Sequence, residues 1–254
     1  MKVIIWAGML IVLLMALGSG EVMASGPRTS PSCPGAFSDL AANDFSYPYV
    51  KCLTCAGVMS GYDDGTFRGG ASVTRGEMAR WIALAAGYTD MFAPDHQSFV
   101  DVPPTDPNWL YIERLYAHKI IVGYPCGVAP GGPCPGQYWH PENLIIRAQT
   151  AKLVTLAAGY NDPIAPTKQT FREVPPTHPY WLYVERAVAH GLVSGYDCDN
   201  VTYNVCGATF ENCPGPYYRC CLPITRSQAA KFIALAFYPN CAAPANRRLD
   251  AVRQ

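Results

Sequence analysis

The sequence predicts an all-α fold in which three helix–loop–helix repeats pack together with pseudo-threefold symmetry. The first observation is that one pattern recurs three times, beginning at Phe37, Phe99 and Phe171, and repetition at this scale identifies an architecture of stacked units. The second is that each copy contains two stretches whose apolar residues have helical spacing. One such unit cannot bury both of its apolar faces, whereas three adjacent units can.

The first half of each repeat predicts a helix that begins at a large aromatic residue. An acidic residue stands two positions after each repeat phenylalanine, and the aromatic residue stands ten positions after it. The acids are Asp39, Asp101 and Glu173, and the aromatics are Tyr47, Trp109 and Trp181. A Gly-Tyr pair follows each helical stretch, and its glycines are Gly61, Gly123 and Gly195. These glycines either supply a positive φ after the helix or open a groove beside it.

The second half of each repeat predicts a helix with clearer boundaries. Thr74 and Glu77 have the spacing of a capping box, and the third repeat carries an equivalent pair. The second repeat has Ile146 at the capping position, and loss of the capping hydroxyl costs about 1 kcal/mol. Gly87 and Gly159 predict the ends of the first two of these helices, because glycine adopts the left-handed conformation found there.

The N-terminus is typical of a secretory signal peptide. Lys2 precedes an apolar run over residues 3–17, and small residues ending at Ala24 predict the cleavage site. The alternative is a retained membrane anchor, but the run is shorter than the roughly 20 residues that a spanning helix needs. The predicted organisation is a signal peptide at 1–24, a linker at 25–34, repeats at 35–88, 97–160 and 169–240, and a tail at 241–254.

The charge composition argues against nucleic acids and anionic membranes as partners. The chain has 254 residues and a formal net charge of zero, and only 15% of its residues are charged. A protein with this balance has no overall positive field to attract nucleic acid or an anionic membrane. We therefore expect any charged ligand to be recognised locally.

The eleven cysteines predict disulfides in an exported protein. Cys126 and Cys198 each follow a Gly-Tyr pair, and Cys134 and Cys213 each begin a Cys-Pro-Gly sequence. Equivalent positions predict equivalent bonds, Cys126–Cys134 and Cys198–Cys213, which would staple the two long loops. Seven cysteines stay unassigned: Cys33, Cys52, Cys55, Cys206, Cys220, Cys221 and Cys241. Because the count is odd, at least one thiol is free or pairs between molecules.

The sequence gives no sign of catalysis, of a cofactor or of a metal site. It contains no nucleophile elbow, no zinc-binding HExxH and no phosphate-binding loop. His118 and His190 share a register, but the first repeat has Ala56 there. Cys52 and Cys55 lack a second cysteine pair at the spacing of a zinc ribbon. We therefore expect a binding or structural protein.

The candidate binding residues are three arginines at equivalent positions, Arg75, Arg147 and Arg226. Each falls at the first position of a predicted helix, where a cation opposes the helix dipole. The free N–H groups at a helix start favour anions, and a guanidinium adds a two-pronged clamp for a carboxylate or phosphate. The alternative is structural: each arginine pairs with the repeat acid of its own or a neighbouring repeat.

The repeated pattern resembles the S-layer homology domain. The resemblance rests on the Phe-x-acid start, the Gly-Tyr pair, the DGTF-like loop and the sequence VTRGE at 73–77, with the variants IIRAQ at 145–149 and ITRSQ at 224–228. It implies a three-pronged pseudo-trimer that attaches non-covalently to the bacterial cell wall. Grooves between repeats would bind a secondary wall polysaccharide, which in many members carries ketal-linked pyruvate.

The resemblance also implies a cell-surface location and a set of glycan-binding residues. These are the arginines, the repeat aromatics, the repeat acids and the glycines of the Gly-Tyr pairs. We expect Arg75 to contribute more than Arg147, because the first repeat has both Thr74 and Glu77. The alternative function is a structural envelope protein that joins its neighbours through loops and cysteines.

Overall fold

The computed structural model describes residue 33 and residues 36–126, 136–197, 202–203, 209–210 and 215–241. The predicted signal peptide and nearly all of the predicted C-terminal tail lie outside the described residues. None of the described helices has the length and apolarity needed to cross a membrane.

The described part of the chain is mostly helical, and each predicted repeat contributes two α-helices. The helices are α1 (Tyr47–Cys55), α2 (Arg75–Ala85), α3 (Trp109–Ala117), α4 (Arg147–Ala157), α5 (Trp181–Ala189) and α6 (Arg226–Phe237), and a short 3-10 helix (Pro239–Cys241) follows the last. The three repeat aromatics and the three arginines each begin a helix, as the sequence predicts.

The prediction of an all-α fold is wrong in the two long loops, which contain short strands. Strand β1 (Tyr124–Pro125) pairs antiparallel with β2 (Gln137–Tyr138), and β3 (Thr202–Tyr203) pairs antiparallel with β4 (Thr209–Phe210). Each strand has two residues. A strand this short is too brief for the two-residue alternation that reveals strands in a sequence.

The helix starts follow the predicted capping pattern. The Thr74 hydroxyl accepts a hydrogen bond from the Glu77 amide at 3.2 Å, and the Glu77 carboxylate accepts one from the Thr74 amide at 2.9 Å. Thr225 and Gln228 form the same reciprocal pair. A glutamine can therefore replace the glutamate without loss of the cap.

The second repeat keeps half of this cap. Ile146 contributes no side-chain hydrogen bond, but the Gln149 side chain accepts one from the Ile146 amide at 3.2 Å. At the other end of α2 and α4, Gly87 and Gly159 both have φ of 72°, which confirms the predicted helix ends.

The two helices of a repeat pack mainly against neighbouring repeats. Helix α2 packs against α3 of the second repeat, α4 packs against α5 of the third, and α6 packs against α1 of the first. Helices α2, α4 and α6 also contact one another. Each repeat therefore completes its core with residues from the other two.

A ring of backbone hydrogen bonds joins the segments that lead into these three central helices. The Val73 amide donates to the Ile224 carbonyl at 3.1 Å, the Ile224 amide donates to the Ile145 carbonyl at 3.1 Å, and the Ile145 amide donates to the Val73 carbonyl at 2.9 Å. All three side chains are fully buried. Buried backbone groups need partners, and here each segment supplies the partner for the next.

The glycines of the Gly-Tyr pairs are required by close packing against the repeat phenylalanines. A Cβ atom on Gly123 would lie 2.6 Å from the Phe99 ring, and one on Gly61 or Gly195 would overlap Phe37 or Phe171. Among these glycines only Gly195 has a positive φ, of 76°. The expected need for positive φ thus holds at one of the three positions, and the close approach of a ring holds at all three.

The junctions between repeats use equivalent positions in two chemically different ways. The Arg114 Nε donates to the Asp90 carbonyl at 3.0 Å, and Arg186 makes the same bond with Asp162 at 3.1 Å. At the junction of α6 with α1, the equivalent residues are Cys52 and Cys241, which form a disulfide. The first two junctions are spanned by the linkers 89–98 and 161–170, whereas the third has no linker and is joined covalently by this bond.

The remaining cysteines show one further complete disulfide in the described part of the chain, Cys33–Cys55. Cys126 is disulfide-bonded, but the proposed pairs Cys126–Cys134 and Cys198–Cys213 both involve cysteines outside the described residues. Cys220 has a free, buried thiol, and burial raises its pKa to about 11. This thiol accounts for the odd cysteine that the sequence count requires.

We predict that removal of the Cys52–Cys241 bond destabilises the protein more than removal of Cys33–Cys55. The bonds span 189 and 22 residues, so the chain-entropy model gives about 5 and about 3 kcal/mol, respectively. The measurement is chemical denaturation of the Cys52→Ser/Cys241→Ser variant, with Cys33→Ser/Cys55→Ser as the matched control. Equal destabilisation of the two variants would contradict a special role for the ring-closing bond.

We also predict that Cys220 resists alkylation in the folded protein. A thiol with a pKa of about 11 is almost entirely protonated at pH 8, and the thiolate is the reactive form. Peptide mapping after iodoacetamide treatment should find Cys220 unmodified under native conditions and modified in denaturant. Rapid labelling of the native protein would show that the thiol is accessible.

Candidate functional site

Each of the three arginines begins a central helix and extends into the following repeat. The Nε atoms donate hydrogen bonds to a backbone carbonyl of that repeat, in the pairs Arg75–Trp139 at 2.8 Å, Arg147–Tyr218 at 2.9 Å and Arg226–Phe67 at 2.9 Å. The arginines are only 4–7% exposed. Because Arg226 bonds to the first repeat, the three arginine contacts link the repeats in a cycle.

The guanidinium groups also lie against aromatic rings of that following repeat. The Arg75 guanidinium is 3.8 Å from the centre of the Trp139 ring and 5.1 Å from that of Tyr124. The Arg147 guanidinium lies over Tyr196 and Tyr218 at 4.9 and 4.7 Å. Cation–π contacts of this kind partly compensate a buried cation for lost hydration. Burial lowers the pKa of Arg75, but a guanidinium remains charged at neutral pH.

The repeat acids fix the carbonyl groups that receive the arginines. Both carboxylate oxygens of Asp39 accept backbone N–H groups, from Phe67 and Arg68, at 2.7 Å. The Phe67 carbonyl then accepts from Arg226. The bond from the Phe67 amide is the main cause that lowers the pKa of Asp39, because it favours the charged carboxylate.

The same relay occurs in the other two repeats. Asp101 accepts from the amides of Trp139 and His140 at 2.8 and 2.6 Å, and Glu173 accepts from the amides of Tyr218 and Arg219 at 2.6 Å. The acids thus act on the arginines through a peptide unit. This differs from the direct acid–arginine pair that the sequence left open as an alternative.

A cleft of about 110 Å³, which we call the Arg75 groove, opens beside the first arginine. Its polar and aromatic lining consists of Arg75, Tyr124, Trp139, Gln149, Lys152 and Tyr180. The Gln149 amide donates to the Tyr124 hydroxyl at 3.3 Å. Residues of all three repeats therefore form this groove.

An equivalent cleft of about 240 Å³, the Arg147 groove, lies beside the second arginine. Its lining includes Phe45, Arg147, Gly195, Tyr196, Gln228 and Lys231. The Gln228 amide donates to the Tyr196 hydroxyl at 2.8 Å. Phe45 belongs to the first repeat and is 55% exposed, so an apolar face is available at the groove edge.

The environment of the third arginine differs because it contains a carboxylate. Arg226 Nη1 lies 3.4 Å from a carboxylate oxygen of Glu77, and Nη2 donates to the Ser60 carbonyl at 2.7 Å. The rings of Tyr62 and Trp81 lie at 5.0 and 5.1 Å. Glu77 stands where Gln149 and Gln228 stand in the two grooves.

The structure separates the repeat aromatics Tyr47, Trp109 and Trp181 from the two grooves. They begin α1, α3 and α5, and neither groove is lined by them. The Trp109 indole donates to the His96 carbonyl at 2.9 Å, and that of Trp181 donates to the Lys168 carbonyl at 2.7 Å. The two tryptophans thus fasten the linkers between repeats. Of the predicted glycines, Gly123 and Gly195 line the grooves.

The sequence prediction of site residues missed two sets of side chains near the arginines. One is the tyrosines of the Gly-Tyr pairs, Tyr62, Tyr124 and Tyr196, although their recurrence was a usable signal. The other is Arg68, His140 and Arg219, which have φ of 54–58°, a conformation uncommon for these residue types. Each lies against the tyrosine of its own repeat, at 3.9, 5.6 and 4.4 Å. All three follow the loop aromatic directly, and their shared basic character could have identified them.

The paired histidines lie at the repeat junctions. His118 stacks on Tyr88 at 3.8 Å and bonds to Asp90 at 2.8 Å. The hydrogen bond to His118 lowers the pKa of Asp90. His190 makes the equivalent contacts in the next junction. Within the described ranges, no group of three or more histidine, cysteine or acidic residues has the arrangement of a metal site.

Comparison with known proteins identifies the repeats. The S-layer homology domain matches the chain at residues 36–79, 98–134 and 170–201. One similar protein is Cell surface glycoprotein 1 of Acetivibrio thermocellus, which is 26% identical over 171 residues, or 62% of this chain and 7% of that protein.

A second similar protein is the Surface layer protein of Brevibacillus choshinensis, 26% identical over 113 residues, or 44% of this chain and 9% of that protein. The chain thus spans less than a tenth of the length of either relative. The three matched segments begin one residue before the three repeat phenylalanines. Each of the three repeats therefore contains a segment that matches the S-layer homology domain.

Proposed function

We propose that the protein attaches non-covalently to the bacterial cell wall by binding a secondary wall polysaccharide in grooves between its repeats. The observation that carries this proposal is the buried arginine, held against aromatic rings beside a groove that all three repeats line. The family and the names of the two surface-protein relatives support attachment at the cell surface. The proposed role is binding, without catalysis or a cofactor.

The groove chemistry suits a glycan that bears an acidic group. An arginine and a lysine line each of the two described grooves, and a guanidinium can bind a carboxylate through two hydrogen bonds. Glutamine and tyrosine side chains offer hydrogen bonds to sugar hydroxyls, and the aromatic faces suit sugar rings. A pyruvate ketal on a sugar would supply the carboxylate.

We further propose that the three motifs form a pseudo-threefold, three-pronged module. The closed set of arginine contacts supports this arrangement, as does the ring of hydrogen bonds through Val73, Ile145 and Ile224. The cyclic packing of α3 on α2, α5 on α4 and α1 on α6 supports it too. In such a module every groove needs a neighbouring repeat, so the binding function requires the whole set.

The predicted site residues take different parts in this proposal. Arg75, Arg147 and Arg226 are the anion-facing group, although their surroundings differ. Asp39, Asp101 and Glu173 position the loop that receives each arginine. Gly61, Gly123 and Gly195 allow the repeat phenylalanines to pack closely against the backbone. Trp109 and Trp181 fasten the linkers from outside the grooves, and Tyr47 begins α1 outside the two described grooves.

The alternative of an envelope protein cross-linked through its cysteines has less support. In the described part of the chain the free thiol is Cys220, and it is buried. A buried protonated thiol is a poor partner for an intermolecular disulfide. Secretion through residues 1–24 remains part of the proposal, because a wall-binding protein must be exported.

We predict that the protein binds wall sacculi that carry their secondary polymer and fails to bind sacculi from which acid treatment has removed it. The measurement is co-sedimentation of the purified protein with the two wall preparations. Replacement of the exposed Lys51, which lies outside both grooves, by alanine is the control and should leave binding unchanged. Equal retention by stripped and intact walls would show that the polymer is not the ligand.

A further inference from the structure

We infer that the three arginine sites are unequal: the Arg147 groove is the principal site for the acidic group of the ligand, the Arg75 groove is the second, and the Arg226 site is closed by Glu77. This inference rests on the proposed function and specifies it further. One position in each repeat, occupied by Glu77, Gln149 or Gln228, determines whether the site is closed or open. Glutamate closes the site, and glutamine leaves it open.

The three guanidinium groups differ in the number of hydrogen bonds that they already make. Arg226 uses all three of its nitrogen atoms, on Phe67, Ser60 and Glu77. Arg75 uses its Nε on Trp139 and its Nη1 on the Tyr124 hydroxyl at a long 3.3 Å. A ligand carboxylate at Arg226 would have to displace an existing carboxylate, whereas one at Arg75 would not.

Arg147 retains the greatest binding capacity. Its Nε donates to the Tyr218 carbonyl, and no side chain or backbone group of the described residues accepts from its two Nη atoms. Its side chain is nevertheless more than nine-tenths buried and lines the groove. Neither Nη atom is among the fully buried polar atoms of the described residues that lack a partner, so both donors are accessible, and a bidentate anion fits this position.

The walls of the two grooves are positively charged. Lys152 lines the Arg75 groove and Lys231 lines the Arg147 groove, and no acidic residue lines either of these described clefts. Both grooves therefore carry two positive charges without a compensating carboxylate. At the third site Glu77 offsets the charge of Arg226 directly.

The structure reverses the expectation from the sequence that Arg75 contributes more to binding than Arg147. The sequence favoured Arg75 because Thr74 and Glu77 belong to the same repeat. The contacts instead place Glu77 on Arg226, which comes from the third repeat, while Arg75 faces Gln149 of the second. The most complete sequence motif thus contributes its glutamate to the site that is closed.

The two grooves also differ in the aromatic side chain that is available to an uncharged sugar ring. Phe45 provides a half-exposed ring at the edge of the Arg147 groove. In the Arg75 groove the aromatic from the third repeat is Tyr180, whose side chain is less exposed. A sugar ring can therefore stack on Phe45 while its acidic substituent reaches Arg147.

The test exchanges glutamate and glutamine at the equivalent positions. Both residues already serve in capping boxes of this protein, at Glu77 and at Gln228, so the exchanges preserve the helix starts. The probe is a methyl hexopyranoside with a 4,6-linked pyruvate ketal, and its pyruvate methyl ester serves as the uncharged control. Isothermal titration calorimetry measures affinity and the number of sites.

We predict that the unmodified protein binds the acid at two sites and binds the ester at least tenfold more weakly. Gln228→Glu should remove the tighter site, Gln149→Glu should remove the weaker one, and Glu77→Gln should add a third. Phe45→Ala should weaken only the tighter site. Circular dichroism and thermal unfolding of each variant verify that the fold is intact.

Several outcomes would overturn the inference: three equal sites in the unmodified protein, no effect of Gln228→Glu, equal binding of acid and ester, or no binding of the acid. Wall co-sedimentation of the same variants separates this inference from the proposed function. If Gln228→Glu binds polymer-bearing walls as tightly as the unmodified protein does, the ranking of the sites alone is refuted. Failure of the unmodified protein on those walls would refute wall attachment as well.

Discussion

The fold depends on three buried arginines that each extend from one repeat into the next. A buried guanidinium needs acceptors and a polarisable surface, and here the neighbouring repeat supplies both, through a backbone carbonyl and aromatic rings. The carbonyl is itself held in place by the acid of that repeat, as Asp39 holds the loop at Phe67. Because Arg226 returns to the first repeat, no repeat is complete without the others.

The same constraint places the candidate binding site between repeats. Arg75 and Arg147 each join two repeats and also line the two described grooves, so folding and assembly of the candidate site use the same contacts. The helix dipole opposes a cation at a helix start, and the carbonyl bonds and aromatic contacts offset that cost. In the proposed binding mode, the donors left unused on each guanidinium set its capacity for a ligand. Arg147 and Arg226 differ in this respect because, of the two, only Arg226 faces a carboxylate.

A linear chain that forms a closed ring of repeats has one junction without a connecting segment. Two junctions have linkers and a hydrogen bond from an arginine to a backbone carbonyl, as in Arg114 with Asp90. The third has Cys52 and Cys241 at the equivalent positions. A disulfide restricts the unfolded chain most when the loop that it closes is long, so a covalent bond is effective at this junction.

Local sequence patterns were sufficient to predict the three repeats, the helix starts at Arg75, Arg147 and Arg226, and the helix ends at Gly87 and Gly159. These features depend on residues within a few positions of one another, because capping and helical spacing are local. Long-range packing fixes which repeat each arginine enters, that Glu77 faces Arg226, and that the repeat tryptophans lie outside the grooves. The arginines and their carbonyl partners are separated by 64, 71 and 159 residues, and contacts across such distances arise from packing, which no local pattern encodes.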